Sequence, residues 1–308
     1  MTLKHLCDVD LPPHVKPGGF DHAAVHRASA RLYVAHTAND ALDVIDCVGD
    51  RYLHSIPNLT GVAGALVSDE RNLVFTSNRG ENTVGIFSPD DEAGIVKVSV
   101  GVRPNGLSYD PSRDLLLAAN VGDPAISGSF TVSIVDVGRQ TMVAAVPVPG
   151  RTRWTIFDPQ SNAFYVNIME PAQMVVIDAN RPTQVARILD LPVAGPHGLD
   201  LDAEQRRLFC ACDGGKLVVL DARTHNILNE ADIGGVPDVV FFNVALEHLY
   251  VATGDPGVIE VFDTETMTRS EAVSTEKGAH TIAFDAERNK VYAFLPQTHR
   301  AAVYVDEG

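Results

Sequence analysis

The sequence predicts an all-β chain: a seven-bladed β-propeller of four-stranded antiparallel blades, with the N-terminal strand completing the last blade. Three observations predict it. One strand pattern recurs seven times, at intervals of about 41 to 48 residues, and the seventh copy stops one strand short. A period in the forties with several strands per unit describes blades set around a channel.

Each copy opens with a short apolar strand ending near Asp, followed by a polar turn. A second strand of the Leu-Tyr-Val type comes next, then a loop, then a third strand ending in Asp. The second strands begin at Leu32, Leu73, Leu116, Phe164, Leu208, Leu249 and Val291. Third strands include Leu42-Asp43-Val44-Ile45-Asp46, Val132-Ser133-Ile134-Val135-Asp136 and Leu217-Val218-Val219-Leu220-Asp221. Turns such as Asp110-Pro111-Ser112-Arg113 and Asp158-Pro159-Gln160-Ser161 join first to second strands. Asp and Pro favour such turns through side-chain hydrogen bonding and a fixed φ. Residues 120–129 form an enlarged loop in the third copy, and no linker interrupts the run, so residues 1–308 read as one domain. The segment from Lys4 to Leu11 is an extra strand ahead of the first copy, placed to fill the last blade and cover two open edges.

The repeat residues resemble the bacterial YVTN-type repeat propellers, through Leu32-Tyr33-Val34-Ala35, Leu249-Tyr250-Val251-Ala252 and the following strands that end in Asp. The resemblance spans nearly the whole chain and implies the propeller fold. For function it implies a mixture, from lactonases and lactonising enzymes to lyases and proteins without known reaction.

Composition narrows the partners. A formal charge of −16 argues against nucleic acid and against anionic membranes. No apolar run is long enough to span a bilayer, and Met1 to Pro13 alternates like a strand rather than a signal segment. A cytoplasmic location is the resulting expectation. Cys210 and Cys212, two apart in a strand, should share a face and pack as small apolar groups; no zinc-ribbon or disulfide spacing is present. The oligomeric state stays open.

In a propeller the first strands line the channel and their first residues gather at one mouth. Aligning the first strands on the residue that ends them, most often Asp but His26 in the first copy and Asn243 in the sixth, gives Asp21, Gly64, Asn105, Arg153, His197, Asp238 and His280, with His22 the alternative to Asp21. Blades five, six, seven and one are consecutive, so His197, Asp238, His280 and either Asp21 or His22 fall along one side. Imidazole and carboxylate converging there suit a divalent metal, zinc first. Arg103, Asn105 and Arg153 fall opposite, suited to a small anionic substrate, and Trp154 could stack on it. Arg103-Pro104-Asn105-Gly106-Leu107 resembles the Pro-Asn-Gly-Leu segment of gluconolactonase-like propellers, where such an Asn helps hold a metal, although their acidic partners are not reproduced here.

Loops after the second strands bring a further ring to the same mouth: His36, Asn39, Asn78, Glu81, Asn120, Glu170, Asp213, Asp255, Gln297 and His299. Within it Glu81 and Glu170 are the candidate general bases for a metal-bound water. No nucleophile elbow, phosphate loop or dinucleotide fingerprint occurs. The expectation is a metal-dependent hydrolase of a lactone or related ester. Its alternatives are a lyase or lactonising enzyme on a small carboxylate, and a non-enzymatic scaffold.

Overall fold

The computed structural model describes residues 3–308. Met1 and Thr2, the start of the segment read above as strand-like, lie outside the described residues. Among the described residues twenty-eight strands form seven four-stranded sheets. Six follow chain order, as in β2 (Phe20–His26), β3 (Arg31–His36), β4 (Ala41–Asp46) and β5 (Arg51–Ile56). The seventh is β26 (Ile282–Asp285), β27 (Lys290–Leu295) and β28 (Arg300–Asp306), closed by β1 (Leu3–Asp10). β1 pairs antiparallel with β28 from Leu3↔Asp306 to Asp10↔Arg300, as the short seventh repeat requires. Among the described residues no helix is long and apolar enough to cross a membrane.

Burial explains the repeat grammar. The second and third strands are sandwiched between neighbouring blades on both faces, so they read as continuous apolar runs. Leu32, Tyr33, Val34 and Ala35 are all fully buried, as are Leu249, Tyr250, Val251 and Ala252. Outer strands lie in solvent and turn polar, as in β21 (Ile227–Asp232).

The tyrosines of four second strands, Tyr33, Tyr165, Tyr250 and Tyr292, tie their blade to the next. Tyr33 donates its hydroxyl to Glu92 of blade two at 2.9 Å. Tyr250 donates to Asp306 of blade seven at 2.6 Å, and Tyr292 to Asp50 of blade one at 2.7 Å. A buried phenol needs a partner, and the next blade supplies it. The turn aspartates cap their own hairpins: Asp110 Oδ1 accepts the Ser112 N–H at 2.9 Å, and Asp158 Oδ1 that of Gln160 at 3.0 Å. Cys210 and Cys212 are buried, with their sulfurs 3.8 Å apart as free thiols.

Each of the first six inner strands carries a register shift at its mouth end, for instance between Pro104 and Leu107 and between Pro196 and Leu199. A bulge there re-aims two successive side chains, one to the mouth and one below it. In three blades the lower position is glycine. A Cβ on Gly64, Gly106 or Gly198 would come within 2.7 Å of the backbone carbonyl of Asn105, Arg153 or Asp238 on the following blade. The same alignment corrects blade two. Val62 pairs with Asn78 as Pro104 pairs with Asn120, so Ala63 holds the mouth position and Gly64 the one beneath. Ser68 closes that strand and Asp69 follows it, whereas Asp110, Asp158, Asp202 and Asp285 close theirs, which displaced the count by one.

Candidate functional site

One mouth of the channel holds a cavity of ≈ 620 Å³. Blades two to four contribute Arg79, Asn105, Arg151 and Arg153; blades five to seven and one contribute His197, Asp238, His280 and Asp21.

The imidazole side is a chain of two hydrogen bonds joined by an ion pair. His197 Nδ1 lies 2.8 Å from Asp213 Oδ1, and its Nε2 lies 3.0 Å from Asp238 Oδ1. Asp238 Oδ2 lies 2.6 Å from His280 Nδ1. An ionised carboxylate can only accept, so a carboxylate beside each ring nitrogen favours the doubly protonated, cationic form of His197. Burial works against that charge, but Asp238 and Asp213 outweigh it and the pKa of His197 is raised. His280 follows the same logic: burial opposes, the bond and charge of Asp238 prevail, and its pKa is pushed up to about 9. Asp238, despite its burial, is held well below the usual carboxylate range by the two histidines. The His280 side chain is 39% exposed at the cavity, and its Nε2 has no hydrogen-bond partner among the described residues.

The arginine side carries more charge than it neutralises. Arg79 reaches Asp21 at 3.2 Å and Arg153 reaches Asp213 at 3.5 Å. Arg151 has no ion pair among the described residues. Its pKa is lowered by desolvation and by the charges of Arg153, Arg79 and Arg103. Buried Nε atoms of Arg79 and Arg153 and the Oδ1 of Asn105 have no hydrogen-bond partner among the described residues. Such unsatisfied polar groups around a cavity are what a polar ligand would satisfy.

No protein-family model matches the chain, and no curated protein matches it. Among solved structures, hydrazine synthase of Kuenenia stuttgartiensis is similar with a TM-score of 0.81. The alignment has 11% sequence identity and covers 95% of this chain and 96% of that one. The chain is a seven-bladed β-propeller. At that identity the likeness shows the fold alone, and the YVTN-type resemblance rests on the repeat residues.

Several expected site residues stand elsewhere. Asp21, not His22, lines the mouth cavity. His22 is buried one level down, where its ring lies 4.0 Å from that of Trp154, centroid to centroid. Blades one and four thereby meet across the axis and form a floor. Burial lowers the pKa of His22 despite Asp21, keeping it neutral. Trp154 is part of that floor and does not line the mouth cavity. Arg103 is exposed outside the cavity lining. Glu81 is turned away, its carboxylate 2.7 Å from Lys97 Nζ, and Glu170 lines a separate small surface pocket. Neither glutamate is placed to serve as base in this cavity, because its loop carries it outward.

Arg79 and Arg151 were missed. Arg79 follows the second strand of blade two and Arg151 precedes the inner strand of blade four, in loops that bring the guanidinium groups to the cavity, which a strand count does not capture. Asp213, within the outer ring of candidates, proves to be the residue that holds His197. Among the described residues no group of three or more His, Cys, Asp or Glu side chains is arranged to hold a metal ion. His197, Asp238 and His280 are engaged with one another, and zinc would have to displace the protons between them.

Proposed function

We propose that this propeller is an enzyme acting on a small organic carboxylate bound in the mouth cavity. Arg151 and Arg153 hold the carboxylate and His280 serves as proton donor. The observation that supports this reading most is the pairing, in one cavity, of an under-neutralised arginine wall with a cationic histidine. That histidine is oriented from behind by Asp238. Carboxylate-held imidazoles facing a cavity are arranged for general acid–base work.

The reaction the arrangement favours is opening of a lactone or related ester. Water adds to the acyl carbon and gives its proton to Asp21, the cavity carboxylate on the blade next to His280. The C–O bond to the leaving oxygen breaks, and His280 Nε2–H protonates that oxygen. Proton exchange with solvent then restores both groups. The residues present supply this chemistry without a nucleophilic serine or cysteine in the cavity lining.

The test is turnover of small carboxylate-bearing lactones in ¹⁸O-labelled water, with metal analysis of the same chelator-free sample. Incorporation of one labelled oxygen into the acid product supports hydrolysis. Unlabelled product identifies elimination, the lyase alternative. Stoichiometric zinc lost on His197→Ala or His280→Ala would replace the proton relay with a metal centre.

A further inference from the structure

Beneath the floor made by His22 and Trp154 the channel opens again into a second cavity of ≈ 460 Å³, which shares no lining residue with the mouth cavity. Its walls include Leu66, Leu107, Tyr109, Trp154, Phe157 and Phe241, so aromatic and aliphatic faces dominate. Two residues before the end of each inner strand, the seven blades place Ala24, Leu66, Ser108, Ile156, Asp200, Phe241 and Ala283. One of these seven is charged, and that carboxylate, Asp200, lines the cavity.

Asp200 has no cationic partner among the described residues. Its oxygens accept the backbone N–H groups of Leu201 at 2.8 Å and Phe242 at 2.7 Å. The remaining charged lining is also acidic on balance. Asp69 and Glu70 stand against Arg27, whose Nε is bound to Asp69 at 2.7 Å. Burial pushes the Asp200 carboxyl up to about 6 against the pull of those backbone bonds, so its charge at neutral pH is held at a cost. A carboxylate facing aromatic walls with no counter-ion is complementary to a cation of low hydration.

We infer that this lower cavity is a separate binding site for a small organic cation, an ammonium group bearing apolar substituents. Asp200 provides the counter-charge, and Trp154, Tyr109, Phe157 and Phe241 provide the aromatic surface. A strongly hydrated inorganic cation would forfeit its water against walls that are largely aromatic and aliphatic, whereas a substituted ammonium has little hydration to lose.

The test compares choline with 3,3-dimethylbutan-1-ol, which has the same shape without the charge, by isothermal titration calorimetry on the full chain. Choline is expected to bind at least about ten-fold more tightly than the alcohol. Asp200→Asn should remove that preference, and Phe241→Leu, which stays apolar but loses the ring face, should weaken choline several-fold. Asp21→Asn in the mouth cavity should leave choline affinity unchanged. Equal binding of the two probes, no choline binding, or full affinity retained in Asp200→Asn would each overturn the inference. Should Asp200→Asn fail to fold, the probe comparison and Phe241→Leu decide alone. Loss of choline binding in Asp21→Asn but not in Asp200→Asn would move the ligand to the mouth and overturn it as well.

Discussion

Asp238 accepts a hydrogen bond from His280 Nδ1 at 2.6 Å, although the two lie on different blades and 42 residues apart. The other oxygen of Asp238 lies 3.0 Å from His197 Nε2, so one carboxylate orients two imidazolium rings. The protein therefore fixes the direction of the free His280 Nε2–H before any ligand arrives. Preorganised donors of this kind lower a barrier because they need no reorganisation during the reaction.

His280→Gln keeps a hydrogen-bonding side chain but removes the transferable proton. Steady-state kinetics on the lactone substrate should show kcat reduced by about 10²–10⁴-fold with KM changed little. An unchanged kcat would remove His280 from the chemistry.

The same relay makes folding pH-dependent. The pKa of His280 is about 9 in the folded protein against an ordinary 6.5, so its contribution is complete below pH 6.5 and lost as pH rises through 9. With the ring partly exposed, the effect is about 1–2 kcal/mol after screening. Urea unfolding at pH 6, 7.5 and 9.5 should show stability declining across that window. Asp238→Asn should flatten the decline.

Arg151 is exposed and crowded by like charge. Arg151→Ala should raise KM for a carboxylate substrate about ten-fold or more, in line with loss of a charge-assisted contact. It should leave the melting temperature equal or slightly higher, because repulsion from Arg153 and Arg79 is relieved. Lower stability with unaltered KM would make Arg151 a structural residue.

β1 buries Leu3 and Val9, Leu11 is buried just after it, and the strand covers the edge of β28. Deleting residues 1–11 removes three buried side chains worth roughly 4–8 kcal/mol, a large part of an ordinary domain's stability. The truncated chain should unfold at a much lower urea concentration and associate through its open edge. An unshifted midpoint would show that β1 adds nothing to closure.

The fold was legible because second and third strands are buried on both faces, which forces Leu-Tyr-Val runs that repeat visibly. Asp202 and Asp285, with Asn243 at the same place in blade six, fix the phase, so His197, Asp238 and His280 could be placed at one mouth from sequence. Legibility failed where local geometry departs from that phase. Ser68 replaces the marker in blade two, and the bulge sends Asp21 up and His22 down. Side-chain reach was invisible too. Arg79 and Arg151 enter the cavity from loops, while Glu81 at the same face is drawn away by Lys97. What distinguishes a hydrogen-bonded relay from a metal sphere is the protonation of His197, and that depends on Asp213 standing behind it.

The most direct measurement is the titration of the His280 ring by NMR in chelator-free protein. Proton occupancy of both ring nitrogens up to a pKa near 9, returning toward 6.5 in Asp238→Asn, is the predicted result. A ring that titrates at 6.5 or below in the unaltered chain, or one whose nitrogen is bound to zinc, would contradict the account.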